Sequence, residues 1–447
     1  MSRLRSNPFV VAGIALAVFG CAIRISNAFR YPTGLGFDAK FNWEYIEQLL
    51  GSWTLPAPDA AWATGHPPLF YYLGAALGRA LGHPGMENTV LAIRLLSTGF
   101  GLAAVALAVG LVRRVDPRNP RRAFVAGGLL LFLPVHIYMS AMLSEEILAA
   151  SLTSVAVIGT ALAATRPGTI RGELTRASGI GLAAGLALLT KLSGALAVVA
   201  VAGTYALDGW RRREPLRALG RIGVALGVAA LVGGWYYARN RVEYGYFYPQ
   251  NLSTHQVMFS MPPGERNIGD YLRVPLATWT DPQLLAPGLV RSVWGSTYVT
   301  VWFDGHRFFL PKESAAVRRT GTAILLLALL PTTAFVIGLG RGLRRALRSA
   351  GTPDTPLLLL TGLTLGGYIL FTWRNPWFAS VKGSYLLGLS VPFSFYASEV
   401  LAGWTGGHGV RPRLVWATMG LLALASAVTF TYGPVFAKLE FPGLEWR

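Results

Sequence analysis

Long apolar segments alternate with short polar segments along almost the whole chain. An α-helix needs about 20 mostly apolar residues to cross the hydrocarbon core of a bilayer. The first apolar segment follows Arg3 and Arg5 without a small-x-small cleavage site, so we expect a retained signal anchor. In all, the pattern predicts eleven membrane spans. They lie near residues 8–30, 90–112, 122–139, 143–165, 178–191, 193–209, 220–238, 318–340, 355–372, 383–403 and 413–432.

One shorter apolar segment, residues 66–82, is predicted to lie in the membrane interface instead of crossing the bilayer. Arginine-rich loops of membrane proteins lie preferentially on the cytoplasmic side. If residues 66–82 are not counted as a span, every basic loop of this chain falls on that side. These loops contain Arg113, Arg114, Arg118, Arg121 and Arg122; Arg166, Arg171 and Arg176; Arg211, Arg212, Arg213, Arg217 and Arg221; Arg341, Arg344, Arg345 and Arg348; and Arg411 and Arg413. The five lysines fall on or near the opposite, outer face. They are Lys40, Lys191, Lys312, Lys382 and Lys438.

Composition supports an all-α polytopic membrane protein. Of the 447 residues, 53% are hydrophobic and only 14% are charged. A net charge of +19 could indicate nucleic-acid binding, but the arginines sit between apolar segments and therefore report topology instead. We expect no nucleic-acid partner. A single cysteine, Cys21, excludes an intramolecular disulfide.

The predicted topology divides the chain into three parts. Residues 1–240 form a transmembrane module with the first outer loop at 31–89, residues 241–317 form a long outer loop, and residues 318–447 form the C-terminal spans. Long loops in compact proteins are usually functional. This one is rich in aromatic residues that are typical either of interfacial anchors or of a lid over a site. They are Trp279, Trp294, Tyr298, Trp302, Phe308 and Phe309.

The first outer loop contains an amphipathic helix near residues 37–50. Wound at 3.6 residues per turn, it gathers Lys40, Glu44, Glu47 and Gln48 on a polar arc. Asp38 and Asn42 fall within the apolar arc, where a carboxylate is costly unless it has a function. The two explanations for Asp38 at this stage are a helix N-cap and a chemically active carboxylate.

Other candidate residues gather at the same outer boundary. They are His66, Glu145, Lys191, Arg239, Lys382 and Tyr385. Structural explanations exist for several: a helix start for His66, a favourable helix dipole for Glu145, and snorkelling for Lys191. Arg239 opposes the positive-inside bias, which favours a functional cation. Because adjacent helical residues point about 100° apart, we expect only one of Glu145 and Glu146 to face a common centre, and favour Glu145.

Carboxylates and cations at an outer membrane boundary suit transfer from a lipid-linked phosphate donor. A carboxylate can take the proton of an attacking hydroxyl. Cations can stabilise the departing phosphate as it gains negative charge. Outside the cytoplasm an activated sugar would arrive on a polyprenyl phosphate, so we expect membrane lipid and a lipid-linked donor as partners.

Four stretches in order resemble the GT-C superfamily of membrane glycosyltransferases, in particular the family 39-like branch of protein O-mannosyltransferases and lipid A aminoarabinose transferases. These stretches are Gly36-Phe37-Asp38, Gly65-His66-Pro67-Pro68-Leu69-Phe70-Tyr71-Tyr72, residues 185–194, and Lys382-Gly383-Ser384-Tyr385-Leu386-Leu387. Two positions depart from these subgroups: Ala39 stands where the mannosyltransferases place a second acid, and His66 where the aminoarabinose transferases place a lysine.

The resemblance implies a GT-C bundle whose first outer loop contains two juxtamembrane helices, at 37–50 and 66–82. It implies an inverting transferase with Asp38 as general base and with Lys191 and Arg239 near the donor phosphate. The acceptor would be a glycolipid, a glycan or a protein. These residues identify no cofactor, and a divalent metal stays open. We expect the enzyme in a bacterial inner membrane, with its site on the outer face.

Two other functions use similar features. A transporter or flippase for a lipid-linked or anionic substrate would place ionisable residues and broken helices near the bilayer centre. Few charges fall at span centres, and Arg24 and Arg94 lie near predicted span ends, which argues against transport. A polysaccharide polymerase or ligase would differ from the proposed transferase in its acceptor more than in its mechanism.

Overall fold

The computed structural model describes residues 7–165, 168–249, 261–307, 310 and 314–431. Helices dominate these residues, and strand-like pairing there is limited to one isolated bridge between Pro263 and Trp377. The helices are α1 (Pro8–Arg30), α2 (Ala39–Ser52), α3 (Leu69–Ala80), α4 (Met86–Val115), α5 (Pro120–Leu131), α6 (Pro134–Met139), α7 (Glu146–Ala164), α8 (Ile170–Thr190), α9 (Gly194–Arg212), α10 (Pro215–Ala229), α11 (Trp235–Tyr244), α12 (Gly269–Leu272), α13 (Ala277–Thr280), α14 (Val293–Trp302), α15 (Ala315–Arg348), α16 (Asp354–Arg374), α17 (Ser390–Trp404) and α18 (Val410–Phe430). Predictions for Arg166, Phe308, Phe309, Lys312 and Lys438 lie outside the described residues.

Eight helical segments of the described chain are long and apolar enough to cross a membrane. They are Pro8–Arg30, Met86–Val115, Glu146–Ala164, Pro215–Tyr244, Ala315–Arg348, Asp354–Arg374, Phe378–Trp404 and Val410–Phe430. The all-α membrane class is confirmed, whereas the count of eleven spans is not. The predicted span 122–139 is divided between α5 and α6. The helices α8 and α9 are less apolar because each carries three charged residues near one end: Arg171, Glu173 and Arg176, and Asp208, Arg211 and Arg212.

Two short helices, α2 and α3, occupy residues 31–89, the predicted first outer loop. With 14 and 12 residues they are too short to span a bilayer, as predicted for this loop. Their apolar faces meet, and the rings of Tyr45 and Tyr71 stack with centroids 4.1 Å apart. Arg79 of α3 donates to the carbonyl of Leu49 and lies over the Trp53 ring, which closes the C-terminal end of α2. The two helices therefore form one packed unit, and Asp38 lies at the N-terminal end of α2.

The break between α5 and α6 explains a buried arginine in α1. Pro134 begins α6, and α5 ends with carbonyls that cannot continue their helical hydrogen bonds. Arg24 is fully buried and donates to the carbonyls of Leu130 (3.2 Å) and Leu131 (2.9 Å). An unpaired carbonyl costs several kcal/mol inside a membrane. These contacts give Arg24 a structural role at the helix break, so it does not support the transporter alternative.

A network of ion pairs joins four helices at the arginine-rich end of the bundle. Arg345 of α15 lies 2.8 Å from Asp354 at the start of α16 and 2.9 Å from Glu399 of α17. Glu399 also lies 3.6 Å from Arg122 of α5. Helices that are otherwise held by apolar packing are thus tied together at the end opposite Asp38.

The described part of the long outer loop packs into the bundle. The Tyr138 hydroxyl of α6 donates to the carbonyl of Thr300 in α14 at 3.0 Å, and Tyr298 donates to Leu325 in α15. The ring of Trp302 lies edge-on to Phe393 of α17. These contacts bring α14, and the residues that follow it, alongside the segment that carries Lys382.

Candidate active site

Asp38 occupies the N-cap position of α2 but does not serve as a side-chain cap. Its backbone is left-handed, with φ 57°, and its carboxylate makes no capping hydrogen bond within the described helix. A left-handed conformation is uncommon for a residue other than glycine and is often found at functional sites. The Asp38 side chain is one-third exposed, and its Oδ2 lies 3.4 Å from Nζ of Lys382. The carboxylate is therefore available to an incoming group.

Arg94 of α4 holds the segment that leads to Asp38. Its buried guanidinium donates to three successive carbonyls, those of Tyr31 (2.7 Å), Pro32 (2.6 Å) and Thr33 (3.0 Å). Hydrogen bonds from a charged donor are worth about 1.5–3 kcal/mol each. The chain thereby leaves α1 along a fixed path before it turns into α2. The sequence placed Arg94 near a span end but did not indicate that it binds these three carbonyls.

Lys382 lies in the short connection between α16 and α17. Here the chain forms two 3₁₀ turns, Phe378–Ser380 and Gly383–Leu389. A side chain at Gly383 would approach the Thr300 backbone to 2.7 Å, so glycine allows α14 to pack directly against this connection. The Phe378 amide donates to the Pro262 carbonyl at 2.7 Å. The outer loop thus fixes the backbone on both sides of Lys382.

Lys191 forms the centre of a second charged cluster. Its Nζ lies 2.8 Å from Glu145 Oε1 and 2.7 Å from Glu146 Oε1. The expectation that only one of these glutamates faces a common centre is wrong, because two flexible side chains at the start of α7 can reach one ammonium group. Burial acts to raise the pKa of Glu145, but the Lys191 ammonium outweighs burial and lowers it. Burial acts to lower the pKa of Lys191, and the two carboxylates raise it well above its usual value.

Glycines position Lys191 at the end of α8. A side chain at Gly185 would approach the backbone of Ala229 to 2.9 Å, so α8 and α10 can pack closely. A side chain at Gly194 would collide with the Ala187 backbone where the chain turns back into α9. The stretch 185–194 therefore places Lys191 on a tight turn between two closely packed helices.

Tyr385 lies between the two charged clusters. Its ring centroid is 5.3 Å from Nζ of Lys191 and 5.8 Å from Nζ of Lys382, both within the range of cation–π contact. The neighbouring Ser384 donates to Glu146 Oε1 at 3.4 Å. A cavity of about 30 Å³ reaches this point, and its lining includes Glu146, Ser384 and Tyr385 together with other hydroxyl-bearing and apolar residues. Residues from α2, α7, α8 and the Lys382 connection thus converge on one region.

His66 belongs to a hydrogen-bonded network that includes Asn42, one helical turn after Asp38. Its Nδ1 lies 2.9 Å from the Tyr71 hydroxyl, which donates to Asn42 Oδ1 at 2.9 Å, and Asn42 Nδ2 donates to the Leu143 carbonyl. Burial lowers the pKa of His66; the Lys191 ammonium acts in the same direction, and Glu145 acts to raise it. The network explains why Asn42 occupies the apolar arc of α2. Tyr71 was not among the predicted site residues.

Arg239 lies apart from both clusters in its described contacts. Its Nε pairs with Glu243 at 2.9 Å, one turn later in α11, and its Nη2 donates to the Tyr244 hydroxyl. It also approaches the Pro56 carbonyl at 3.4 Å. The structure therefore brings together Asp38, Lys382, Tyr385, Lys191 and Glu145. Arg239 lies outside this group and contacts residues 31–89 through Pro56.

The described parts of the chain contain no group of three His, Cys, Asp or Glu side chains that could hold a metal ion. The carboxylate of Asp38 faces Lys382, and those of Glu145 and Glu146 face Lys191. Ammonium groups thus occupy the positions where a divalent cation would contact these oxygens. This donor set does not fit a bound metal.

The arrangement of the helices matches a known architecture. Residues 61–240 match the family model for dolichyl-phosphate-mannose-protein mannosyltransferases. ArnT from Cupriavidus metallidurans bound to undecaprenyl phosphate is similar in structure, with a TM-score of 0.51 and 13% identity over 95% of this chain and 76% of that chain. The chain has the GT-C fold. The predicted resemblance to the superfamily is confirmed, and the chain is an integral membrane protein.

Two archaeal structures are similar as well. The oligosaccharyltransferase AglB from Archaeoglobus fulgidus, in complex with an inhibitory peptide and a dolichol-phosphate, has a TM-score of 0.53 and 14% identity, covering 94% of this chain and 56% of that chain. The same archaeal enzyme in complex with zinc and sulfate has a TM-score of 0.53 and 16% identity, covering 94% of this chain and 53% of that chain. The chain thus spans little more than half of the archaeal enzyme. No curated protein matches it significantly in sequence.

Proposed function

We propose that this protein is an inverting glycosyltransferase that moves a sugar from a polyprenyl-phosphate donor to a hydroxyl acceptor. One observation is the main support for the proposal. Within a GT-C fold, Asp38 pairs with Lys382, and both Lys382 and Lys191 contact the ring of Tyr385. The family match to dolichyl-phosphate-mannose-dependent enzymes and the likeness to ArnT bound to undecaprenyl phosphate support a lipid-phosphate donor. The acceptor is a glycolipid, a glycan or a protein.

Asp38 would act as general base. As the acceptor oxygen attacks the anomeric carbon, its proton passes to the Asp38 carboxylate. A new carbon–oxygen bond forms on one face of the sugar while the bond from the anomeric carbon to the phosphate oxygen breaks on the other. The bonding electrons leave with the polyprenyl phosphate. Partial exposure of the carboxylate, with one ammonium contact at 3.4 Å among the described residues, leaves room for the acceptor hydroxyl.

Lys382 and Lys191 would stabilise the departing phosphate, with Arg239 at the border of the site. Lys382 contacts one carboxylate at 3.4 Å, whereas Lys191 contacts two at 2.7 and 2.8 Å. Among the described residues, a phosphate must therefore replace two carboxylates at Lys191 but one at Lys382. This difference supports Lys382 as the main ligand of the phosphate. Lys191 would have the additional role of orienting Tyr385 and Glu146.

The arginine-rich loops support a site on the outer face of a bacterial inner membrane, where lipid-linked sugars are the available activated donors. The direct test is a transfer assay. Purified protein in liposomes is mixed with radiolabelled polyprenyl-phosphate sugars and with glycolipid, glycan and peptide acceptors. Labelled product with an inverted anomeric configuration supports the proposal. Movement of the intact donor across the liposome membrane, without a new glycosidic bond, would instead indicate a flippase.

A further inference from the structure

His306 lies between the two segments of chain that carry Asp38 and Lys382. Its ring packs edge-on against Phe37, with centroids 5.3 Å apart. Its Nε2 lies 3.1 Å from the carbonyl of Val381. Phe37 immediately precedes Asp38, and Val381 immediately precedes Lys382. One imidazole therefore touches both segments.

We propose that His306 is a positioning residue that sets the separation between Asp38 and Lys382, so that the outer loop completes the site. The inference rests on the proposed function of Asp38 and Lys382. Phe378 also borders His306, with ring centroids 6.2 Å apart, so the Lys382 connection contacts this residue at two points. A shift of His306 would move the backbone next to the carboxylate and next to the ammonium together.

Hydrogen bonds and a cation–π contact hold the segment around His306 in place. The Leu284 amide donates to the Gly305 carbonyl at 2.8 Å. The Leu310 amide donates to the Asp304 carboxylate at 2.9 Å, and Arg307 lies over the ring of Phe303. These contacts anchor the residues on both sides of His306 to the outer loop, independently of Asp38 and Lys382.

The imidazole is neutral in this position. Burial and the nearby Lys382 ammonium lower the pKa of His306 to about 3, against the smaller opposing influences of the Val381 carbonyl and of Asp38. A backbone carbonyl only accepts hydrogen bonds, so Nε2 carries the proton and donates to Val381. A neutral ring can bridge the two segments without competing with Lys382 for the Asp38 carboxylate.

Two substitutions separate the two contacts. His306→Phe keeps a ring against Phe37 but removes the hydrogen bond to Val381. His306→Gln keeps an N–H donor but removes the ring. His408→Gln, in the exposed loop before α18, serves as a matched control. Amide hydrogen exchange in detergent is measured on peptides covering residues 33–42 and 378–389, and kcat and KM are measured in the transfer assay.

We expect faster exchange mainly in 378–389 for His306→Phe and mainly in 33–42 for His306→Gln. Both variants should lose about 10-fold or more in kcat, with KM for the donor changed less than about twofold, because small displacements of reacting groups are costly. Unchanged local exchange and kcat in both variants, or equal exchange increases across the whole chain, would overturn the proposal. If the wild-type protein transfers no sugar, the proposed function fails, and the segment-specific exchange still decides the structural role of His306.

Discussion

Nζ of Lys382 lies 3.4 Å from Oδ2 of Asp38, although the two residues are 344 positions apart in the chain. One follows the first membrane helix, and the other lies near the start of the apolar segment Phe378–Trp404, ahead of α17. A carboxylate and an ammonium this close, at the base of an outer loop, can accept a proton and stabilise a phosphate in the same reaction.

Asp38→Asn distinguishes a general base from a structural residue. Asparagine keeps the size of the side chain and accepts a left-handed backbone about as readily as aspartate. If Asp38 is the base, the variant folds and binds donor while turnover falls by about 10²-fold or more. The measurement is transfer rate together with polyprenyl-phosphate affinity in the reconstituted protein. Near-wild-type turnover would refute the assignment and direct attention to Glu145.

Substitution of the site cations should weaken donor binding. We predict that Lys382→Ala, Lys191→Ala and Arg239→Ala each reduce affinity for undecaprenyl phosphate by roughly 1–3 kcal/mol, the scale for hydrogen bonds to charged groups. Binding is measured by titration of the detergent-solubilised protein. Arg241→Ala, at an exposed position of the same helix as Arg239, should bind normally.

Loss of Lys191 also leaves two buried glutamates side by side, which is destabilising by itself. The double variant Lys191→Ala with Glu146→Gln removes that repulsion and separates folding from donor binding. If all three single variants bind the lipid phosphate as tightly as the wild type, the cations serve structure and not the donor.

Acid should destabilise the protein between about pH 6.5 and 5. The pKa values of His66 and His306 are lowered in the folded state, chiefly by burial. As the pH falls, the unfolded chain therefore binds more protons at these histidines than the folded chain does. Stability therefore falls as pH decreases below the ordinary histidine pKa, by up to about 1.4 kcal/mol per pH unit for each such proton.

Thermal unfolding midpoints at pH 7, 6 and 5 test this linkage. His66→Gln and His306→Gln should each show a shallower decline than the wild type, whereas His408→Gln should follow the wild type. Parallel curves for all four proteins would show that neither buried histidine contributes to the acid sensitivity.

The topology predicts where reporter fusions will be active. Fusions after Arg114, Arg213 and Arg345 should report the cytoplasm, because these residues belong to the arginine-rich loops. Fusions after Gly51 and Gly264 should report the outer side, since both lie in the segments that surround Asp38 and Lys382. A cytoplasmic signal at Gly264 would separate the two outer loops and contradict a shared site.

The sequence by itself determined the class of fold, because membrane spans and amphipathic helices depend on local hydrophobic patterns. It also placed Asp38 and Asn42 on the apolar arc of α2 and gathered several charged residues at one boundary. Its count of eleven spans is not confirmed, and the predicted span 122–139 forms one apolar segment in sequence but two helices, α5 and α6, around Pro134. Local hydrophobicity alone does not reveal a break whose carbonyls are satisfied by Arg24, a distant residue.

Only the tertiary structure decided which charges meet. The contacts of Asp38 with Lys382, and of Lys191 with both glutamates, join helices that are far apart in the chain and depend on how glycine-lined surfaces pack. The same packing left Arg239 paired with Glu243 and brought His306 to the backbone beside both site residues. A periodic pattern fixes the face on which a side chain lies, whereas its partner depends on long-range packing that no local pattern contains.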